Sequence, residues 1–251
     1  MVDSVTERNG YHKIAGELAD EIAQLEPGTK LASEHELMAR FGVGRASARS
    51  AVQELERRGL VRRLRGSGTY VNRRIDYVVS KEKRPSWHRT VEAAGAVPRS
   101  TVLLSEVRPI PESSAHYLGI ESGTPAHYMR RLRYVDDQVA ALGEEWVRCE
   151  AVTELGSAMR VEESLDELLR QMGRFDVVRS WCRTSMELPP PEICTALEMT
   201  YVAPIWIIES INRDAETGVA VTYSSSWTRA DMIRVVMEIG DHPPVSTCEG
   251  N

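Results

Sequence analysis

Between residues 33 and 71 the apolar positions follow two helical stripes and then a two-residue alternation. Leu37, Met38 and Phe41 give a short helix one apolar side. Ser33 stands at its start as a cap, with Glu36 three residues on, the spacing of a capping box. Gly42-Val43-Gly44 leaves room only for a sharp corner. Ala48, Ala51, Val52 and Leu55 then recur at i, i+3, i+4 and i+7, which predicts a second helix. Its other face and first turn carry Arg45, Ser47, Arg49 and Ser50. Gly59 stops it, residues 60–64 alternate as a strand, residues 65–68 make a hairpin tip, and residues 69–71 return. Helix, tight turn, helix and basic hairpin form a winged helix-turn-helix.

Upstream, residues 1–9 read as a disordered lead. Residues 11–25 form an amphipathic helix, with Ile14, Leu18 and Ile22 on one face, that should close the small core. Downstream, the pattern alternates between strands and short helices. Helices are predicted at 87–94, 113–118, 164–172 and 190–197. Strands are predicted at 101–109, 127–135, 139–149, 177–186, 205–213 and 219–226, with an edge strand at 233–239. The second half is therefore an α+β domain of mostly antiparallel sheet.

Charge separates the two halves. The whole chain of 251 residues carries a formal charge of −6. From Arg40 to Arg74 ten arginines face only Glu54 and Glu56, a local +8. Such a patch suits duplex phosphates. Residues 1–75 total +3 and residues 76–251 total −9, so the boundary falls near residue 75. Residues 76–85 read as a charged linker, 86–245 as the second domain and 246–251 as a flexible tail. No apolar run reaches the roughly 20 residues that span a bilayer, and the amino terminus lacks a signal-peptide core. The expected location is cytoplasmic. Cys149, Cys182, Cys194 and Cys248 form no CxxC pair and the six histidines no cluster, so neither a metal site nor a cofactor is expected.

Several motifs carry a resemblance. Tyr11-x-x-Ile14-Ala15, Pro27-Gly28-Thr29-Lys30-Leu31-x-Ser33-Glu34, Gly42-Val43-Gly44-Arg45-x-Ser47-x-Arg49-x-Ala51 and Gly66-x-Gly68-Thr69-Tyr70-Val71 resemble the winged helix of GntR-family transcription regulators. Gly44 stands where that family usually has Ser, so its capping role would fall to Ser47 or to bare backbone N–H groups. Gly119-Ile120-x-x-Gly123-Thr124-Pro125, Arg131-Leu132-Arg133, Glu163-Ser164-Leu165 and Arg229-Ala230-Asp231 resemble the UTRA-type, chorismate-lyase-like sensing domain of the HutC subfamily. Residues 222–233 look most like regulators of the phosphonate-uptake type. Thr222 replaces a Glu found in many relatives, which counts against a sugar effector.

The candidate DNA-binding residues are Ser33, Arg45, Ser47, Arg49, Arg65, Gly66, Ser67 and Gly68. Arg45 and Arg49 would reach bases or nearby phosphates. The glycine-flanked tip would approach the backbone or the minor groove closely. In the second domain, Arg131 and Arg133 lie two apart on a strand and can converge on one anion. Ser164, and the group His88, Arg89 and Thr90, stand at predicted helix starts that favour an oxyanion. The resemblance implies that these positions, with Thr222 and Thr228, hold a small anionic effector of the phosphate, sulfate or phosphonate class. Together these features predict a homodimeric repressor on a palindromic operator. Two alternatives are a chorismate-lyase-like enzyme, drawing on Glu144, Glu145, His116 or His127, and a DNA-binding protein without a ligand.

Overall fold

The computed structural model describes residues 3–64, 66–80 and 82–239. The chain divides into two compact units, Met1–Arg74 with Ala230–Met232, and Ile75–Arg229 with Ile233–Asn251. No helix among the described residues is long and apolar enough to cross a membrane.

The first unit contains helices α1 (Asp3–Ile22), α2 (Glu34–Phe41) and α3 (Arg45–Arg57), then strands β1 (Val61–Leu64) and β2 (Gly68–Val71). The presumed irregular lead is helical from Asp3, and the helix stops at Ile22, before the predicted end at 25. Ser33 accepts from the Glu36 N–H while Glu36 accepts from Ser33 N at 2.7 Å, so the capping box is complete. Gly42, at φ 63°, closes α2 in the left-handed conformation. Gly44 caps α3 with no side-chain hydrogen bond, leaving bare N–H groups at that helix start. Ile14, Leu18 and Ile22 pack with Leu37, Ala48, Ala51, Val52 and Leu55 in one core that also takes Val61 and Val71. Thr29, Lys30 and Leu31 precede α2; the sequence leads Lys30-Leu31 into that helix, and the structure does not. These three residues run along β2, with Leu31 N donating to Thr69 O and Val71 N to Thr29 O, both at 2.8 Å.

The second unit holds β3 (Ile75–Val79), α4 (Trp87–Ala93), β4 (Pro98–Pro109), α5 (Glu112–Leu118), β5 (Pro125–Val135) and β6 (Gln138–Arg148). There follow α6 (Leu155–Ala158), α7 (Leu165–Gln171), β7 (Val177–Glu187), α8 (Pro191–Ala196), β8 (Ile205–Asp214), β9 (Ala220–Arg229) and β10 (Ile233–Met237). Six strands form one antiparallel sheet in the order β4-β5-β6-β9-β8-β7. The α+β expectation holds, and α6 is an element the periodicity did not reveal. Two expectations are corrected by one pairing. β3 takes the first four residues of the supposed linker, 76–79, and β10 is no edge strand of the main sheet. They pair with each other in parallel, Ile75 opposite Ile233 and Val79 opposite Met237. Both runs are rich in Ile and Val, which suits a pleated ladder better than a solvated tether. Cys248 and the proposed tail lie outside the described residues.

Candidate functional site

The winged unit presents its cations unequally. Several of the ten arginines are tied to carboxylates of the same unit. Arg40 pairs with Glu21, Arg57 and Arg58 with Glu54, and Arg63 with Glu56 at 3.4 Å. Arg45 is 80% exposed and only loosely paired, 3.8 Å from Glu34. Arg49 is exposed on the next turn of α3 with no ion pair among the described residues. Ser47 lies between them, half-buried, and Ser33 is exposed at the head of α2. At the wing, Ser67 and Gly66 are exposed, and Ser67 Oγ sits 2.6 Å from the Tyr70 hydroxyl. Arg65 lies outside the described residues.

Gly68 is also constrained within the unit. Its φ of +132° already disfavours other residues, and a Cβ there would meet Lys30 Cε at 2.9 Å. The missing side chain makes room for Lys30, whose Nζ stands 5.9 Å from the Tyr70 ring centre. Lys30 is exposed and is a basic wing residue that the sequence reading used only as part of a motif. Its pairing beside β2 was hidden because residues 29–31 lack strand periodicity.

In the second unit, β5 to β9 and helices α4 and α7 enclose a polar cavity. Its volume of about 60 Å³ would hold about four waters or one small ligand. Of the predicted residues, His88, Arg131, Arg133, Ser164 and Thr222 line it. Arg131 and Arg133 do converge, as the two-residue spacing required, but on a carboxylate of their own chain. Arg131 grips Glu145 with Nη2 at 2.8 Å and Nε at 3.2 Å, and Arg133 Nη2 donates to the same carboxylate. Arg131 also donates to the Glu163 carbonyl at 3.2 Å. Burial would raise the pKa of Glu145; the two guanidinium groups overcome this and hold it at about 2. Arg130 pairs with Glu144 on the opposite face, as strand alternation demands.

Three predicted contacts are not in the cavity lining. Arg89 is 57% exposed and faces Asp166 and Glu167 at 3.8 and 3.9 Å. The Thr90 hydroxyl donates to the Ser86 carbonyl at 2.8 Å, one turn back along α4. Thr228 is buried 3.3 Å from Ser226 Oγ. Helix periodicity explains the first two: in α4 only His88 and the residues just before it reach the cavity.

The sequence reading missed Arg179. It is 9% exposed, lines the cavity, and has no carboxylate partner among the described residues. Its Nη2 donates to the Tyr77 hydroxyl at 2.7 Å and its Nη1 to the Val78 carbonyl at 3.3 Å. Four buried atoms on lining residues lack hydrogen-bond partners: Arg133 Nε, Arg179 Nε, Asp166 Oδ2 and Asn212 Oδ1. Native interiors rarely leave such atoms unmatched unless water or a ligand completes them. The available signal was that Ser210, Asn212, Ser224 and Ser226, two apart along β8 and β9, make one sheet face polar. Burial, reinforced by Arg131, lowers the pKa of His88, while burial raises that of Asp166 against the pull of Arg84 and Arg89. Three guanidinium groups thus face Glu145 and Asp166, a formal excess of one positive charge.

The histidines weighed for catalysis have structural partners. His127 Nε2 is 2.8 Å from the Val152 carbonyl and buried, and His116 Nδ1 is 3.4 Å from the Glu112 carbonyl. The three described cysteines are free.

Comparison with known proteins decides the family. The model of the bacterial regulatory proteins of the gntR family matches residues 10–71, and that of the UTRA domain matches residues 93–234. The chain belongs to the GntR family. It is 33% identical to the probable transcriptional regulator PhnF of Escherichia coli K12, over 91% of this chain and 94% of that one. It is 29% identical to the transcriptional regulator GgaR of the same strain, over 85% and 84% of the two chains. The crystal structure of PhnF from Mycobacterium smegmatis shares the fold, at a TM-score of 0.63 and 20% identity, covering 91% of this chain and 99% of that one. This GntR-family chain is a DNA-binding transcription regulator rather than an enzyme, with a UTRA domain for a small-molecule effector.

Proposed function

We propose that this regulator is a homodimeric, cytoplasmic repressor of the HutC type on a palindromic operator. In this reading each α3 enters the major groove of one half-site, about one helical turn from the other. Arg45 and Arg49 contact base edges or the adjoining phosphates. Ser33, Ser47, Arg65, the Gly66-Ser67-Gly68 tip and Lys30 hold the backbone. The uneven pairing of arginines supports this, since on α3 Arg45 has only a loose contact and Arg49 no ion pair among the described residues.

The effector is proposed to be a small anion of the phosphate, sulfate or phosphonate class, held by Arg131, Arg133, Ser164 and Arg179, with His88 and Thr222 beside them. The observation that carries this is the cavity's excess positive charge combined with buried N–H groups that have no acceptor. Glu145 consumes part of that charge, so the site suits a ligand of low net charge. Effector binding is then linked to operator affinity, and the factor is set by how differently the ligand binds the two states of the protein. Calorimetry with phosphate, sulfate and methylphosphonate tests the site on the wild type and on Arg133→Ala. The anion site requires heat from at least one of them in the wild type and a loss of affinity in the variant. Equal isotherms for the two proteins exclude it.

A further inference from the structure

Arg179 is the one cavity arginine without a carboxylate among the described residues, and its two ends face different parts of the second unit. Its Nε is buried in the cavity lining without an acceptor. Its terminal nitrogens hold β3, through the Tyr77 hydroxyl at 2.7 Å and the Val78 carbonyl at 3.3 Å. The guanidinium carbon also lies 5.1 Å from the Tyr77 ring centre. β3 pairs with β10 and with no strand of the six-stranded sheet. It begins at Ile75, directly after Arg74, and β10 begins at Ile233, directly after Met232. Arg74 and Met232 are residues of the winged unit. Two of the three covalent joins between the units thus lead straight into the β3–β10 ladder, the third being Arg229–Ala230 at the end of β9.

A planar guanidinium offers its donors in one rigid fork, so an acceptor drawn to Nε turns the whole group. The ring face against Tyr77 and the two bonds to β3 must then shift or break together. A buried bond that is lost leaves the Val78 carbonyl or the Tyr77 hydroxyl unsatisfied, so the strand's position is coupled to the occupancy of the cavity.

We propose that Arg179, through Tyr77 and Val78, is the relay by which an effector in the cavity repositions β3 and so alters operator binding. The proposal rests on the reading of the cavity as the effector site. It makes Arg179 and Tyr77 positioning residues for the DNA-binding unit, although neither need touch DNA.

Two measurements on the full chain test it. Without ligand, amide hydrogen exchange over residues 75–79 is compared in wild type, Arg179→Lys and Tyr77→Phe. Both variants should exchange at least about threefold faster there while β5 and β6 stay as in the wild type. Unchanged exchange in both overturns the relay. Operator affinity is then measured, on a duplex selected with the wild-type protein, without and with saturating inorganic phosphate, saturation being verified by calorimetry. Wild type should shift by a factor within the range of about 5–150 found for coupled sites. Tyr77→Phe, measured against its own phosphate-free affinity, should shift less than about twofold with phosphate. A wild-type-sized shift in Tyr77→Phe overturns the relay and leaves the cavity reading standing. Where phosphate gives no heat, sulfate or methylphosphonate takes its place, and absence of heat from all three in the wild type overturns the cavity reading and the relay with it.

Discussion

On α3 of the winged unit, Arg49 stands in solvent with no carboxylate within ion-pair reach among the described residues, and Arg45 has only a loose contact. In the second unit Arg131 is buried and Arg133 partly buried against Glu145, with 5% and 14% of their side chains exposed. The same residue type is used in opposite electrostatic regimes. An exposed guanidinium keeps its hydration until it meets a polyanion, and its contribution is screened by salt. A buried one has lost water at a cost of several kcal/mol, which for Arg131 and Arg133 the fixed charge of Glu145 offsets. In the proposed reading the winged unit meets many phosphates on a large partner, and the cavity one small ligand on terms set by Glu145.

The largest expected effect tests the buried side of this contrast. Arg131→Ala leaves Glu145 buried with one partner fewer and should destabilise the second unit by about 3–5 kcal/mol in urea unfolding. Adding Glu145→Gln to that variant should recover a good part of the loss. A single variant as stable as wild type would mean that the Arg131–Glu145 pair carries little energy. For the exposed side, Arg49→Ala should weaken operator binding by about 1–3 kcal/mol and relax preference at one base pair. Arg57→Ala, already paired with Glu54, should change operator binding by less than about 0.5 kcal/mol. Equal losses in the two would erase the distinction between free and paired arginines.

Smaller effects sharpen the contrast. Lys30→Ala should lower the slope of log affinity against log salt by about 0.9, uniformly across sequences. Gly68→Ala should act in the same direction, because its Cβ displaces Lys30. An unchanged slope would remove Lys30 from the interface. The smallest effect concerns His88, whose pKa lies below its ordinary value because of burial and Arg131. An anion that offsets Arg131 raises that pKa while burial still holds it below the ordinary histidine value, so binding takes up protons on the acid side of that value. Calorimetry in two buffers of different ionisation enthalpy should show uptake of a fraction of a proton, fading above pH 7. No buffer dependence would place the anion away from His88.

The legibility of the chain followed from the range of the interactions involved. The capping box at Ser33, the Gly42 corner and the stripe of Ala48, Ala51, Val52 and Leu55 are contacts within a few residues, and they stood in the sequence. Strand alternation likewise put Arg131 and Arg133 on one face. What decided their role was Glu145, on the neighbouring strand opposite Met129. No periodicity reveals which carboxylate a pair of arginines will find. Arg179 and Tyr77 are 102 positions apart, and β3 meets β10 across most of the chain. Long-range pairing made a supposed linker into a strand, and only the folded structure shows it. Lys30 was hidden for a related reason: its neighbours look like a turn, and their strand character comes from β2.

The central claim is that DNA on the winged unit and an anion in the cavity are linked through one protein. Thermodynamic reciprocity gives it a direct test. Operator affinity is measured with and without saturating phosphate, and phosphate affinity with and without saturating operator. The account predicts that both change, in the same direction and by the same factor. A factor of one in both, with each ligand still binding on its own, would contradict it.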